Sequence, residues 1–214
     1  MDFILLMKHP LKMSRFFCFL LFAVSTPILA QEGNFQDLSD KGLTPFPWQQ
    51  GVVIYEISGD ANGTAELTFS QNGWRQIMKS DYTYKQYGVE AQSGKTEIRN
   101  GDFLYEVKNG GSKGKSTKDK SLSDLLGYKE PQASWDALYT SQSGTKTGTE
   151  NILNYECDVW TFEKGITNKI WSYKGLILKS EKMVGKLKVT STATSFEEKD
   201  NIDESFAIEG VTWD

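Results

Sequence analysis

The seven residues Gly110-Gly111-Ser112-Lys113-Gly114-Lys115-Ser116 come nearest to a chemical motif in this chain. A phosphate-binding loop needs a glycine, four residues, then Gly-Lys-Ser, so that backbone N–H groups wrap the phosphates at a helix N-terminus. Asn109 stands where the first glycine is required, and Gly110 makes the spacing one residue short. The stretch Asn109 to Lys120 is therefore expected to be a mobile, lysine-rich loop. Ser112 with Lys115, and Ser143 with Lys146, have the Ser-x-x-Lys spacing of acyl-transfer enzymes, but that chemistry needs the serine at the head of a buried helix. Both pairs lie in glycine-rich polar sequence. Glu197, Glu198, Asp200, Asp203 and Glu204 supply carboxylates with no turn glycine among them to build a calcium loop, and form a solvated acidic face.

Histidine and cysteine usage narrows the chemistry further. The only histidine, His9, lies in a segment expected to be removed, which takes away Ser-His-Asp and Cys-His mechanisms and His-ligated zinc. Cys18 lies in the same segment, so Cys157 is left without a disulfide partner. Cys157 alternates with Tyr155 and Val159, a pattern that suits a small core residue better than a reactive thiol. No enzyme activity, cofactor or metal is expected. The remaining candidates are apolar: Trp74, Trp160, Trp171 and Tyr173 are placed to line an apolar cavity, with Leu122 and Leu126 beside them. Cross-strand core packing is the competing account of the same aromatics.

The elements that position these residues are mostly strands. Lys8, Lys12 and Arg15 precede the apolar run Phe16 to Val24, and Ala30 offers a cleavage point, so residues 1–30 form a signal peptide. Its apolar run is shorter than the ~20 residues that span a bilayer. Cleavage would leave about 184 residues, enough for one domain with a sizeable core. The formal charge would move from −4 to about −6, an acidic balance that argues against nucleic-acid binding. Residues 31–50 are polar and proline-containing and make an extended leader, with Phe46 and Trp48 able to tuck onto the body. Residues 51–214 form a single β-rich domain.

Within that domain a period of two marks Val52 to Ser58, Ala65 to Gln71 and Trp74 to Tyr84, and Asn72-Gly73 suits a two-residue hairpin. A second hairpin is expected at Asn100-Gly101, between Lys95–Arg99 and Asp102–Lys108. Ser121 to Tyr128 and Pro131 to Ser141 carry the only helical signals, with Leu122, Leu125 and Leu126 at helical spacing. Strand alternation returns after Gly144 and persists through Tyr155–Trp160, Lys169–Tyr173, Leu176–Met183 and Lys186–Phe196. Adjacent antiparallel strands make a meander rather than βαβ units. A short apolar segment, Ser205 to Ile208, follows the acidic stretch.

One part of this pattern carries a resemblance. Glu150-x-Ile152-x-x-Tyr155-x-Cys157-x-Val159-Trp160, followed by Trp171-x-Tyr173-Lys174-Gly175-x-x-Leu178-Lys179, resembles a family of exported bacterial proteins similar in architecture to periplasmic lipoprotein carriers of the LolA/LolB type. The strand opening Gly51-Val52-Val53-Ile54-Tyr55-Glu56 agrees more loosely. The resemblance implies a LolA-like fold: mainly β, an antiparallel sheet curved into an unclosed half-barrel, with short lid helices. It also implies a concave apolar interior for acyl chains, and a lipid or lipidated protein as partner. No arginine clearly matches the acyl-release residue of those carriers; Arg75 and Arg99 are positional candidates. The expected protein is a monomer exported to the periplasm or cell envelope, binding an apolar or lipid-like ligand. The alternative is a packed sheet that binds another envelope protein or a glycan through its surface.

Overall fold

The computed structural model describes residues 36–86, 88–119, 130–202 and 211–213. The expected signal peptide, the helix expected at Ser121 to Tyr128 with Leu122 and Leu126, and the Ser205–Ile208 segment lie outside the described residues. A short helix α1 (Gln36–Asp40) precedes strands β1 (Gly51–Gly59), β2 (Ala61–Ser70), β3 (Arg75–Gln86), β4 (Val89–Asn100), β5 (Phe103–Lys108) and β6 (Lys113–Lys118). Helix α2 (Pro131–Ser141) follows, then β7 (Gly144–Ile152), β8 (Tyr155–Phe162), β9 (Thr167–Tyr173), β10 (Leu176–Val184), β11 (Leu187–Glu198) and the two-residue β12 (Thr212–Trp213).

All twelve described strands belong to one sheet, in the order β12-β6-β5-β4-β3-β2-β1-β11-β10-β9-β8-β7. Every pairing is antiparallel except that of β12 with β6. The terminal strands β12 and β7 are not paired with each other, so the sheet does not close. The expected fold class is what is found: mainly β, an antiparallel sheet bent into an unclosed half-barrel, with short helices.

Register decides which side chains share the concave face. Val53, Tyr55 and Ile57 alternate inward along β1, as the period of two requires. Tyr55 pairs with Ala65, which pairs with Ser80, which pairs with Lys95, placing all four on one face. Val53, Leu67, Met78 and Glu97 form the next row. Curvature brings distant strands together: the Tyr55 hydroxyl on β1 donates to the Ile177 carbonyl of β10 at 2.8 Å, across β11.

Several local expectations are corrected. Asn109 to Lys120 is not a loop throughout: Lys113–Lys118 is strand β6, paired with β5 through register partners such as Tyr105 and Ser116. Its side chains are mostly exposed, so no apolar pattern announced it. The turn at Asn72-Gly73 spans four residues, Gln71 to Trp74, because Ser70 pairs with Arg75; Gln71, Asn72 and Gly73 all have positive φ. The next turn is Gly101-Asp102, since Asn100 pairs with Phe103 and belongs to β4. Helix α2 matches its expected span, with Pro131 in its first turn and Ser143 at φ 64 just beyond its end.

Candidate functional site

The concave face is closed by two segments that are not part of the sheet. The first is the strap Leu43–Trp48, which leads from α1 into β1. The second is α2, whose Trp135, Leu138 and Tyr139 fall three and four residues apart and so share one helical face.

Three hydrogen bonds hold the strap, and a fourth holds Gln49 just after it. The Phe46 N–H donates to the Asn72 carbonyl at 2.8 Å, and the Asn72 N–H donates to the Gln49 carbonyl at 2.8 Å. The Trp74 indole N–H donates to the Leu43 carbonyl at 3.2 Å, and the Trp135 indole N–H to the Pro45 carbonyl at 2.9 Å. A buried indole N–H left without an acceptor is costly, so strap carbonyls fix both rings. Gly73 is required beneath this arrangement: its φ is 87°, and a Cβ there would run into the Phe46 ring. Gly175 plays the same part beneath Trp135 and the Pro45 carbonyl, with φ at 90°.

The strap delivers two aromatic rings to the interior. Phe46, 3% exposed, meets Phe69 edge-on with centroids 5.0 Å apart and stacks on Trp135 at 6.4 Å. Trp48 meets Phe196 at 4.9 Å and Tyr173 at 5.9 Å. Tyr155 completes that group, 4.9 Å from Tyr173 and 5.9 Å from Phe196. Beneath α2, Tyr139 packs on Trp160 at 5.4 Å and on Phe162 at 6.0 Å, with Ile170 alongside. Burial raises the hydroxyl pKa values of Tyr55 and Tyr139 well above the ordinary tyrosine range, so neither ionises at neutral pH.

The sequence-predicted cavity residues divide into separate groups. Trp74 is 0% exposed and packs with Leu38, Trp135 and Leu138 in the turn between β2 and β3. Trp160 lies under α2. Trp171 points the other way, because Val159 pairs with Trp171 while Trp160 pairs with Ile170. Both faces of β8 and β9 are buried there. Trp171 donates its indole N–H to Glu150 Oε2 at 2.7 Å, and the Lys169 and Lys179 ammoniums stand over its ring, 4.6 and 4.2 Å from the ring centre. That indole bond, above all, holds the Glu150 carboxyl below its ordinary pKa. Tyr173 is half-buried in the Trp48 group. Cys157 is fully buried, and desolvation pushes its thiol up to about 11, which makes it a core residue.

Composition gave no sign of a charged group at the β4–β5 side of the same face. Lys95 Nζ meets Glu97 and Glu106, each at 2.9 Å. Burial pulls the Lys95 pKa down, but hydrogen bonds from its ammonium to Glu106 and Glu97 outweigh this and raise it. Arg99 shares the face, since it pairs with Gln76, the partner of Phe69, and it binds Asp119 at 2.6 Å. Arg75 lies on the opposite face, in register with Asn100.

This arrangement defines a protein of mainly β class with a half-barrel interior covered by a strap and a helix. No family model matches the sequence, and no curated protein matches it. Among solved structures, the crystal structure of LprF from Mycobacterium bovis is similar over 80% of this chain and 96% of that one, at 10% sequence identity and a TM-score of 0.35. At that score the likeness is coarse, and the fold is described from the strand order itself.

Proposed function

We propose that this chain is a non-enzymatic protein of the periplasm or cell envelope that takes an apolar, lipid-like ligand into its half-barrel when the strap and α2 withdraw. One observation carries this reading: the apolar interior is covered by segments outside the sheet, joined to it by few backbone hydrogen bonds and many aromatic contacts. Withdrawal costs the indole bonds of Trp74 and Trp135 to strap carbonyls, but it exchanges the aromatic contacts of Phe46 and Trp48 for contacts with a ligand chain and breaks no strand pairing. Apolar burial at about 25 cal/mol per Å² would hold a chain of several methylenes with no specific polar contact. Envelope location is supported by the basic residues Lys8, Lys12 and Arg15 before the apolar run Phe16 to Val24. The placing of the single histidine at His9, before the expected cleavage point, removes histidine-dependent mechanisms. The resemblance to LolA/LolB-type carriers agrees with a lipid or lipidated protein as partner.

A second reading rests on a different observation: Trp74, Trp160 and Trp171 are 0, 4 and 2% exposed, sealed by the chain's own side chains. A permanently packed sheet would bind an envelope protein or glycan through its surface. Native mass spectrometry of protein purified from its own envelope, followed by titration with a fluorescent fatty acid, separates the two. Bound lipid or saturable uptake is the expected result. Protein that is reproducibly ligand-free and takes up no probe would leave the packed-sheet reading in its place.

A further inference from the structure

Lys182 on β10 pairs with Val189, which pairs with Gly59, while Ser180 pairs with Ser191, the partner of Ile57. Strand alternation therefore puts Lys182 on the same concave face as Ile57 and Ser180, near the end of the half-barrel where β10 turns into β11. Its side chain is exposed to solvent, yet the protein surrounding its ammonium lowers its pKa, mostly through desolvation, with Glu97 opposing and Lys95 adding to the shift. Its place on the concave face by register, together with its exposure, sets it at the open end of the half-barrel. Lys95 and Glu97 share the concave face, in register with Tyr55 and Val53, on β4, which lies five places from β10 in the sheet order.

The partners of these groups differ. Lys95 is occupied by Glu97 and Glu106. The Lys182 ammonium has no ion pair or hydrogen bond among the described residues. Exposed apolar side chains lie at the same end: Val184 shares the face of Lys182, Ile166 lies in the β8–β9 turn, where its carbonyl accepts from the Met183 N–H at 2.7 Å, and Val89 sits at the β3–β4 turn. A free ammonium at an apolar-rimmed mouth, above an aromatic interior, matches a molecule with one anionic head and an apolar tail.

We propose that Lys182 anchors the carboxylate head of a fatty-acid-like amphiphile whose tail enters the interior. This rests on the ligand-binding reading above and adds the chemistry of the head. A single ammonium with Glu97 nearby suits one negative charge, which favours a carboxylate over a phosphate.

The test compares a dansylated fatty acid with its uncharged methyl ester, on the wild-type chain, Lys182→Met and Lys182→Arg. The expected result is tighter binding of the acid than of the ester by about tenfold in the wild type. That preference should be lost in Lys182→Met, kept in Lys182→Arg, and leave ester binding unchanged throughout. Equal binding of acid and ester, or an unchanged preference in Lys182→Met, would overturn the anchor while leaving the ligand-binding reading standing. Failure of both probes would overturn that reading itself. Tighter binding of a lysophosphatidate than of the acid would overturn the choice of carboxylate.

Discussion

Replacing Phe46 with alanine separates a removable cover from a fixed core. Phe46 is 3% exposed and touches Phe69 and Trp135, with Gly73 directly beneath its ring. Truncating a buried phenylalanine typically costs about 3–5 kcal/mol. The strap lies at the edge of the fold, and the lower end, about 3 kcal/mol, is expected in urea unfolding. If the strap competes with ligand, that loss falls on the closed state alone. The binding-competent fraction then rises, and apparent affinity rises with it, by up to about a hundredfold. Fluorescent fatty-acid titration of Phe46→Ala should show tighter uptake by a less stable protein. A variant destabilised as expected whose affinity is unchanged or weaker would refute the displaceable strap.

Other perturbations bear on single contacts. Gly73→Ala should push the strap outward and give a milder version of the same paired result, because the new Cβ meets Phe46 and the backbone holds φ at 87°. Tyr55→Phe removes the donor to the Ile177 carbonyl and should cost about 1–2 kcal/mol in chemical unfolding, with no new cavity. Glu150 has a depressed folded-state pKa, so the stability it adds is complete above the unfolded value of about 4.3 and is lost as pH falls through the folded value. Its side chain is about half exposed, which limits the gain to a few tenths of a kcal/mol; Glu150→Gln and wild type should differ near neutral pH and converge in acid. Cys157 should be inert to a thiol reagent at pH 8 in folded protein and react fully in denaturant, because it is buried and its thiol is pushed up to about 11.

The sequence made the strands legible wherever one face was apolar, as in Val53, Tyr55 and Ile57 or Leu187, Val189 and Ala193. It hid β6, because a strand near the sheet edge with both faces largely wet needs no apolar residue; backbone pairing to β5, and to the two residues of β12, holds it. Turn composition pointed to the right neighbourhoods, but at Asn72-Gly73 the contact with Phe46 shapes a longer turn than Asn-Gly alone would give. The candidate site was less readable. Trp160 and Trp171 looked like walls of one cavity, and only the register of β8 on β9 reveals that they face opposite ways. Phe46 and Trp48 could be suspected of tucking in, but the strap's role depends on the acceptors it presents to Trp74 and Trp135, which are 31 and 90 residues away from them in sequence. The charge group of Lys95, Glu97 and Glu106 alternates with Thr96 and Ile98, and nothing in that pattern tells which side is concave.

The central claim is that ligand and strap compete for one interior. Hydrogen exchange at the Phe46 and Asn72 amides, measured with and without saturating fatty acid, tests it most directly. The account predicts that ligand speeds exchange at both amides while those of Val53, Tyr55 and Leu67 stay protected. Bound fatty acid with unchanged protection at Phe46 and Asn72 would contradict it.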